Sequence, residues 1–261
     1  HALARRAAAA GTVLLTNGGM LPLTPAGRVA LIGAFADQPR YQGAGSSLVN
    51  PTRLDTVLGE LRARLGDGVE LEYVPGYDPD TGQTSAAQLA RARASAAAAD
   101  QVILLVGLPA AYESEGFDRD DLRLPEGQDA IAKTVLAANP RTAVVVIAGA
   151  PVELDWADQP AALIFGYLGG QAAGSALVDV LLGEVEPGGR LAESFPVAAA
   201  QLPAQDNFRS HPTQVQYREG LNVGYRFHDS FGIAPRFCFG HGLGYTSFVY
   251  SELTVSGAGT E

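Results

Sequence analysis

Four short segments of this chain are apolar without alternation: Arg28–Gly33 (RVALIG), Gln101–Gly107 (QVILLVG), Thr142–Ala148 (TAVVVIA) and Ala161–Gly166 (AALIFG). A strand with one wet face alternates apolar and polar residues. A strand covered on both faces has no reason to do so. The segments between them carry helical signals. Leu54, Val57, Leu58, Leu61 and Leu65 follow helical spacing over 53–65. Residues 85–99 are alanine-rich, 125–138 open with Pro125, and 170–182 stop at Gly183. Val69–Val74 alternates and reads as a further strand. Residues 2–10 (ALARRAAAA) are a strong helix former, followed by a short apolar run at Val13-Leu14-Leu15. Regular alternation of doubly buried strands with helices predicts an α/β fold. The expected architecture is a three-layer sandwich, a mostly parallel sheet of about six strands with helices on both faces.

Composition narrows the function classes. The 261 residues are 47% hydrophobic, enough for a large core and one to two domains at ~150 residues each. No apolar run reaches the ~18–20 residues of a membrane-spanning helix. A net charge of −10 argues against binding to nucleic acid and to anionic membrane surfaces. The single cysteine, Cys238, excludes an intrachain disulfide and a cysteine-rich zinc site, and leaves the compartment open. His1-Ala2-Leu3-Ala4-Arg5-Arg6 is not followed by the apolar stretch of a signal peptide.

Two stretches stand apart. Residues 77–84 (YDPDTGQT) are turn-rich and mark a loop or an insertion point. From Arg190 onward prolines, aromatics and glycines replace helical periodicity, and 247–256 (SFVYSELTVS) alternates like a lone strand.

Parallel sheets place function in the loops at the carboxyl ends of their strands. Two loops qualify, 34–52 and 108–125. Gly43-Ala44-Gly45-Ser46-Ser47 lacks the third glycine and the following helix of a dinucleotide fingerprint, and it lacks the Gly-Lys-Ser/Thr of a P-loop. It is a flexible turn or a loop that lets backbone approach a ligand. The second loop runs Glu113-Ser114-Glu115-Gly116-Phe117-Asp118-Arg119-Asp120-Asp121. Tyr112 replaces the first glycine of a nucleophile elbow, and no histidine accompanies the carboxylates as a metal partner. The loop is either a solvated acidic segment or the holder of one catalytic carboxyl. In the second reading a carboxylic acid is partly buried beside Phe117, its pKa is raised, and Arg119 pairs with Asp118 or Glu113 to hold the loop. The scattered histidines His1, His211, His228 and His241 read as structural or surface groups, and Trp156 and Tyr167 as core side chains in preference to sugar-stacking faces.

Six ordered motifs resemble the C-terminal α/β domain of glycoside hydrolase family 3, the β-glucosidase family. Val13-Leu14-Leu15-Thr16-Asn17 and Leu21-Pro22-Leu23 are similar to its "VLLKN…LPL" run, with Thr16 in place of lysine. Tyr41–Ser47 resembles its "GGSS" loop, and Glu113–Arg119 its "E-x-EG-[FY]-DR" loop. Pro187–Leu191 with Ser194-Phe195-Pro196, Tyr217–Arg226, and Phe237–Phe248 resemble three further motifs, Gly244 replacing a serine in the last.

The resemblance implies a retaining glycosidase mechanism with two carboxylates. It assigns Glu115 as general acid/base, with Glu113 as competitor. Ser46, Ser47, Asp118 and Arg119 are implied to bind substrate or shape the site. No metal or cofactor is implied. The resemblance implies that the nucleophilic aspartate lies in a preceding (β/α)8 barrel, within a Ser-Asp-Trp type motif; this sequence has no such motif, its Trp156 following Leu154-Asp155. Residues 1–246 are expected to form the α/β domain, with an insert domain possible near 77–84. Residues 247–261 would begin a fibronectin type III-like domain. The implied partners are a β-glucoside and the two other domains of the same chain, and the 261 residues alone are expected to be inactive. A non-catalytic sugar-binding or domain-docking module is the alternative function, and a β-xyloside the alternative substrate.

Overall fold

The structure, a computed structural model, describes residues 1–208 and 213–255. His211 and residue 256 lie outside that range. Helix α1 (Ala2–Gly11) leads into strand β1 (Val13–Asn17), then β2 (Gly27–Ile32), helix α2 (Val57–Arg64) and β3 (Val69–Val74). Helix α3 (Ala86–Ala98), β4 (Gln101–Gly107), α4 (Glu126–Ala138), β5 (Thr142–Ile147), β6 (Ala162–Phe165) and α5 (Ala173–Leu182) follow. One more short helix, α6 (Tyr225–Phe231), lies in the tail.

The six strands form one sheet in the order β1-β6-β5-β4-β2-β3, parallel except for β1. β4, β5 and β6 are buried along their whole length, as their unbroken apolar sequences require. β3 is an edge strand, half exposed, which is why it alternates. Helices α3 and α4 pack together on one face, and α1 and α2 pack on α5 on the other. This is the expected three-layer α/β sandwich.

Helix ends follow local chemistry. Ser85 and Gln88 form a reciprocal capping box at the start of α3. Gly183, at φ +76°, ends α5 with its N–H on the last carbonyls. The helix expected from residue 53 starts only at Val57, capped by Thr56. Asp55 just before it is buried and takes hydrogen bonds from Ser175 Oγ (2.7 Å) and Arg53 Nε (2.9 Å), so this turn is held open.

The sixth strand of the sheet is Val13–Asn17, which the sequence showed only as a short apolar run. The alternating segment 247–256 forms no strand over 247–255, and these residues are exposed. A strand needs a partner ladder, and none of the described residues offers one there. The tail before it has a clear role at the β1 edge. Leu243 N–H donates to Leu14 O (2.8 Å), Gly189 N–H to Thr12 O (3.0 Å), and the His241 ring Nε2 lies 2.7 Å from Leu15 O. The tail thereby covers an edge that would otherwise expose unpaired backbone groups. The core reading of Trp156 holds, since it is fully buried with its indole N–H on Asp129 (2.9 Å). Residues 77–84 form a closed turn. Asp78 accepts from the Asp80 and Thr81 N–H groups, and Tyr77 is buried with its hydroxyl on Leu105 O (2.9 Å).

Candidate active site

The strand order places a topological switch between β2 and β4: the chain leaves β2 outward to β3, then returns to β4 and runs the other way. The loops after β2 and β4 therefore diverge from one crevice at the carboxyl edge, where open α/β sheets bind ligands. Gly33, directly after β2, has φ +119°, and a Cβ there would lie 2.1 Å from Leu105 O. Glycine lets the chain leave β2 this close to β4.

The two loops meet at Glu115. Gly45–Ser47 makes one 3₁₀ turn, and the Ser46 N–H donates to Glu115 Oε2 at 2.8 Å. The Ser46 hydroxyl donates to the same oxygen. Both bonds favour the ionised form, and they hold the exposed Glu115 carboxyl below its usual pKa, the side-chain bond contributing most. Gly45 has φ +80°, and a Cβ on it would lie 2.7 Å from Glu115 Cβ. Gly45→Ala should therefore push the Ser46 turn off the carboxylate. The Glu115 pKa should rise toward the ordinary glutamate value of about 4.3, read by carboxyl NMR titration.

This geometry corrects the expectation of a partly buried carboxyl with a raised pKa beside Phe117. Gly116, at φ +95°, turns the backbone directly after Glu115. Phe117 is 50% exposed and lines a different cleft from the one that Glu115 faces. Within this chain, two hydrogen bonds to an exposed carboxylate outweigh its slight desolvation.

Ser46, Ser47, Glu113 and Glu115, with Gly149 and Leu168, face one open concavity of about 490 Å³. Asp118 and Arg119 line the cleft with Phe117 instead. Arg119 Nη1 donates to Pro151 O (2.9 Å), fastening the acidic loop to the segment after β5. Burial pushes its guanidinium pKa down. Arg40 makes the ion pair with Glu113, with Nη2 4.0 Å from Oε2, and Glu113 also acts on the Arg119 charge, opposing its lowered pKa. Both Glu113 carboxylate oxygens accept the Gly149 N–H, at 2.9 and 3.0 Å. Arg40, Gly149 and Leu168 were not singled out from sequence. They come from three different strand-end loops, so only the sheet order brings them together. Among the described residues no group of three or more His, Cys, Asp and Glu side chains is placed to hold a metal ion. Among the described residues no helix is long and apolar enough to cross a membrane.

Fold and site define an α/β sandwich domain with a carboxylate presented at the switch point of its sheet. Residues 12–245 match the glycosyl hydrolase family 3 C-terminal domain, and the chain belongs to that family. Thermostable β-glucosidase B of Acetivibrio thermocellus is 46% identical over 256 residues, covering 98% of this chain and 34% of that protein. An exo-α-(1→6)-L-arabinopyranosidase of Bifidobacterium longum is 38% identical over 233 residues, covering 89% of this chain and 30% of its own length. A crystal structure of a Bifidobacterium adolescentis family 3 β-glucosidase superposes with a TM-score of 0.88 at 38% identity, covering 94% of this chain and 36% of that one. The chain thus spans about a third of the length of these relatives.

Proposed function

We propose that this chain is the acid/base-bearing domain of a retaining β-glucosidase that hydrolyses terminal β-D-glucosides. The nucleophilic carboxylate is supplied by a (β/α)8 barrel elsewhere in the polypeptide. One observation carries the reading: Glu115 is presented by the loop after β4, at the switch point, and held by Ser46 across the crevice. Glu113 is the weaker acid candidate, because Gly149 occupies both of its oxygens and Arg40 stands behind it.

In this mechanism the nucleophile attacks the anomeric carbon while the protonated Glu115 gives its proton to the departing glycosidic oxygen. The C–O bond breaks and the aglycone leaves as an alcohol. Glu115, now a carboxylate, takes a proton from water, and the oxygen of that water attacks the anomeric carbon and releases the nucleophile. Ser46 stabilises the carboxylate form between the two steps, and Ser47 shapes the wall beside it. Asp118 and Arg119 shape the site by holding the loop. Residues 247–261 are proposed to begin a fibronectin type III-like domain. The turn at 77–84 is a proposed point of insertion.

The full-length protein should hydrolyse p-nitrophenyl β-D-glucoside, with β-glucose as the first product in a proton NMR time course. The 261 residues alone should release no nitrophenol. An α-glucose first product would rule out retention, and activity of the isolated chain would rule out a nucleophile outside it. Parallel assays with the β-xyloside and α-L-arabinopyranoside decide the sugar.

A further inference from the structure

Arg40 stands just before the glycine loop, and its side chain is 8% exposed. Its Nε donates to the Leu108 carbonyl (3.3 Å) and its Nη2 to the Glu113 carbonyl (3.0 Å). One planar guanidinium therefore grips the acidic loop both where it leaves β4 and two residues before Glu115. The Glu113 carboxylate, 4.0 Å from the same nitrogen, holds Gly149 at the end of β5. Loops after β2, β4 and β5 are joined at this one point. Burying a cation is costly unless its donors and its charge are matched. Here burial pushes the Arg40 pKa down while Glu113 opposes the shift.

We propose that Arg40 is a positioning residue for the proton-transferring carboxyl. It clamps Leu108 and Glu113 so that Glu115 reaches the crevice at a fixed place, and Glu113 serves as its counter-ion and as the tie to Gly149. The inference rests on Glu115 being the acid/base. A misplacement of ~1 Å at a reacting group costs about 10²-fold in rate. Lysine keeps the charge but cannot bridge two carbonyls with a rigid fork.

The test uses the full-length enzyme and two aryl β-glycosides of the sugar it accepts, one phenyl and one dinitrophenyl. Arg40→Lys should lose roughly 10- to 100-fold in kcat/KM on the phenyl substrate and under about 3-fold on the dinitrophenyl one, whose departure needs little protonation. Arg40→Met should lose more in the same pattern. Glu113→Gln, which keeps the carbonyl and removes the charge, should lose less than about 10-fold on the phenyl substrate. If Arg40→Met does not fold, Arg40→Lys carries the test. Equal losses on both substrates, or none, would overturn the proposal, because a general loss of folded enzyme ignores the leaving group. Glu115→Gln runs in parallel. If Glu115→Gln shows the leaving-group pattern and Arg40→Lys does not, the clamp alone fails. If Glu115→Gln lacks the pattern, the acid/base reading fails and the clamp falls with it.

Discussion

Glu115→Gln in the full-length protein should lower kcat/KM on a phenyl β-glucoside by about 10²–10⁴-fold, the usual worth of a positioned general acid. On a dinitrophenyl glucoside the loss in kcat/KM should be small, because that leaving group departs without a proton. The second step still lacks its base, so the glycosyl-enzyme should accumulate and kcat should fall. With Glu115→Ala, azide should restore turnover of the dinitrophenyl substrate and yield a β-glycosyl azide. Azide needs no deprotonation, and it fits the space the carboxylate leaves. Equal loss on both substrates would remove Glu115 from the role.

The pKa direction gives this prediction a further consequence. In this domain the Ser46 bonds hold Glu115 ionised, whereas a general acid must carry a proton. Covering the crevice with the rest of the polypeptide and a sugar would desolvate the carboxylate and raise its pKa. Removing the Ser46 hydroxyl acts in the same direction, so the basic limb of the kcat/KM profile belongs to a balance between Ser46 and burial.

Asp179→Asn should have the largest effect on stability. Asp179 is 5% exposed on α5 and accepts Arg5 Nε (2.6 Å) and Nη2 from α1 and Arg64 Nη1 (2.6 Å) from α2. It is the charge on which all three helices of that face converge. Burial pushes its pKa up, but the hydrogen bonds from Arg5 and Arg64 outweigh it, and the net direction is down. Breaking such a group costs about 3–5 kcal/mol when every partner is buried. Arg5 is 37% exposed and Arg64 keeps Glu60 (2.6 Å), so solvent and the remaining partner reduce this to about 2–3 kcal/mol. The melting transition of the domain should fall by roughly 5–10 °C at neutral pH. The sign with pH follows from the lowered folded pKa. The contribution is complete above the ordinary carboxylate value of about 3.9 and is lost as pH falls through the folded value. The gap between wild type and variant should therefore narrow below about pH 4. A gap unchanged at low pH would mean that the asparagine acts through packing alone.

The fold was legible where burial is complete. The central strands β2, β4, β5 and β6 were readable because a strand covered on both faces has a continuous apolar sequence, and that needs no knowledge of its neighbours. β1 was not readable as a strand. Its pairing is antiparallel to β6, and its outer edge is closed by Leu243 and His241, more than 220 residues away in sequence. The segment 247–256 shows the converse: it alternates like a strand, and the described part of it has nothing to pair with.

The amino-acid sequence by itself determined the sandwich, the family and the two loops that could carry chemistry, because these follow from local periodicity and from motifs of neighbouring residues. Through its resemblance to the family it also singled out Glu115, Glu113, Ser46 and Ser47. Only the tertiary structure decided how they meet. The reversal of strand order between β2 and β4 sets Ser46 against Glu115 across 69 residues of chain. It also makes Glu113 a counter-ion of Arg40, puts Phe117 in a different cleft from Glu115, and leaves the carboxyl exposed instead of buried. A pKa and a clamp depend on which groups lie within a few ångströms, and the order of strands in the sheet, not the order of residues in the chain, sets those distances.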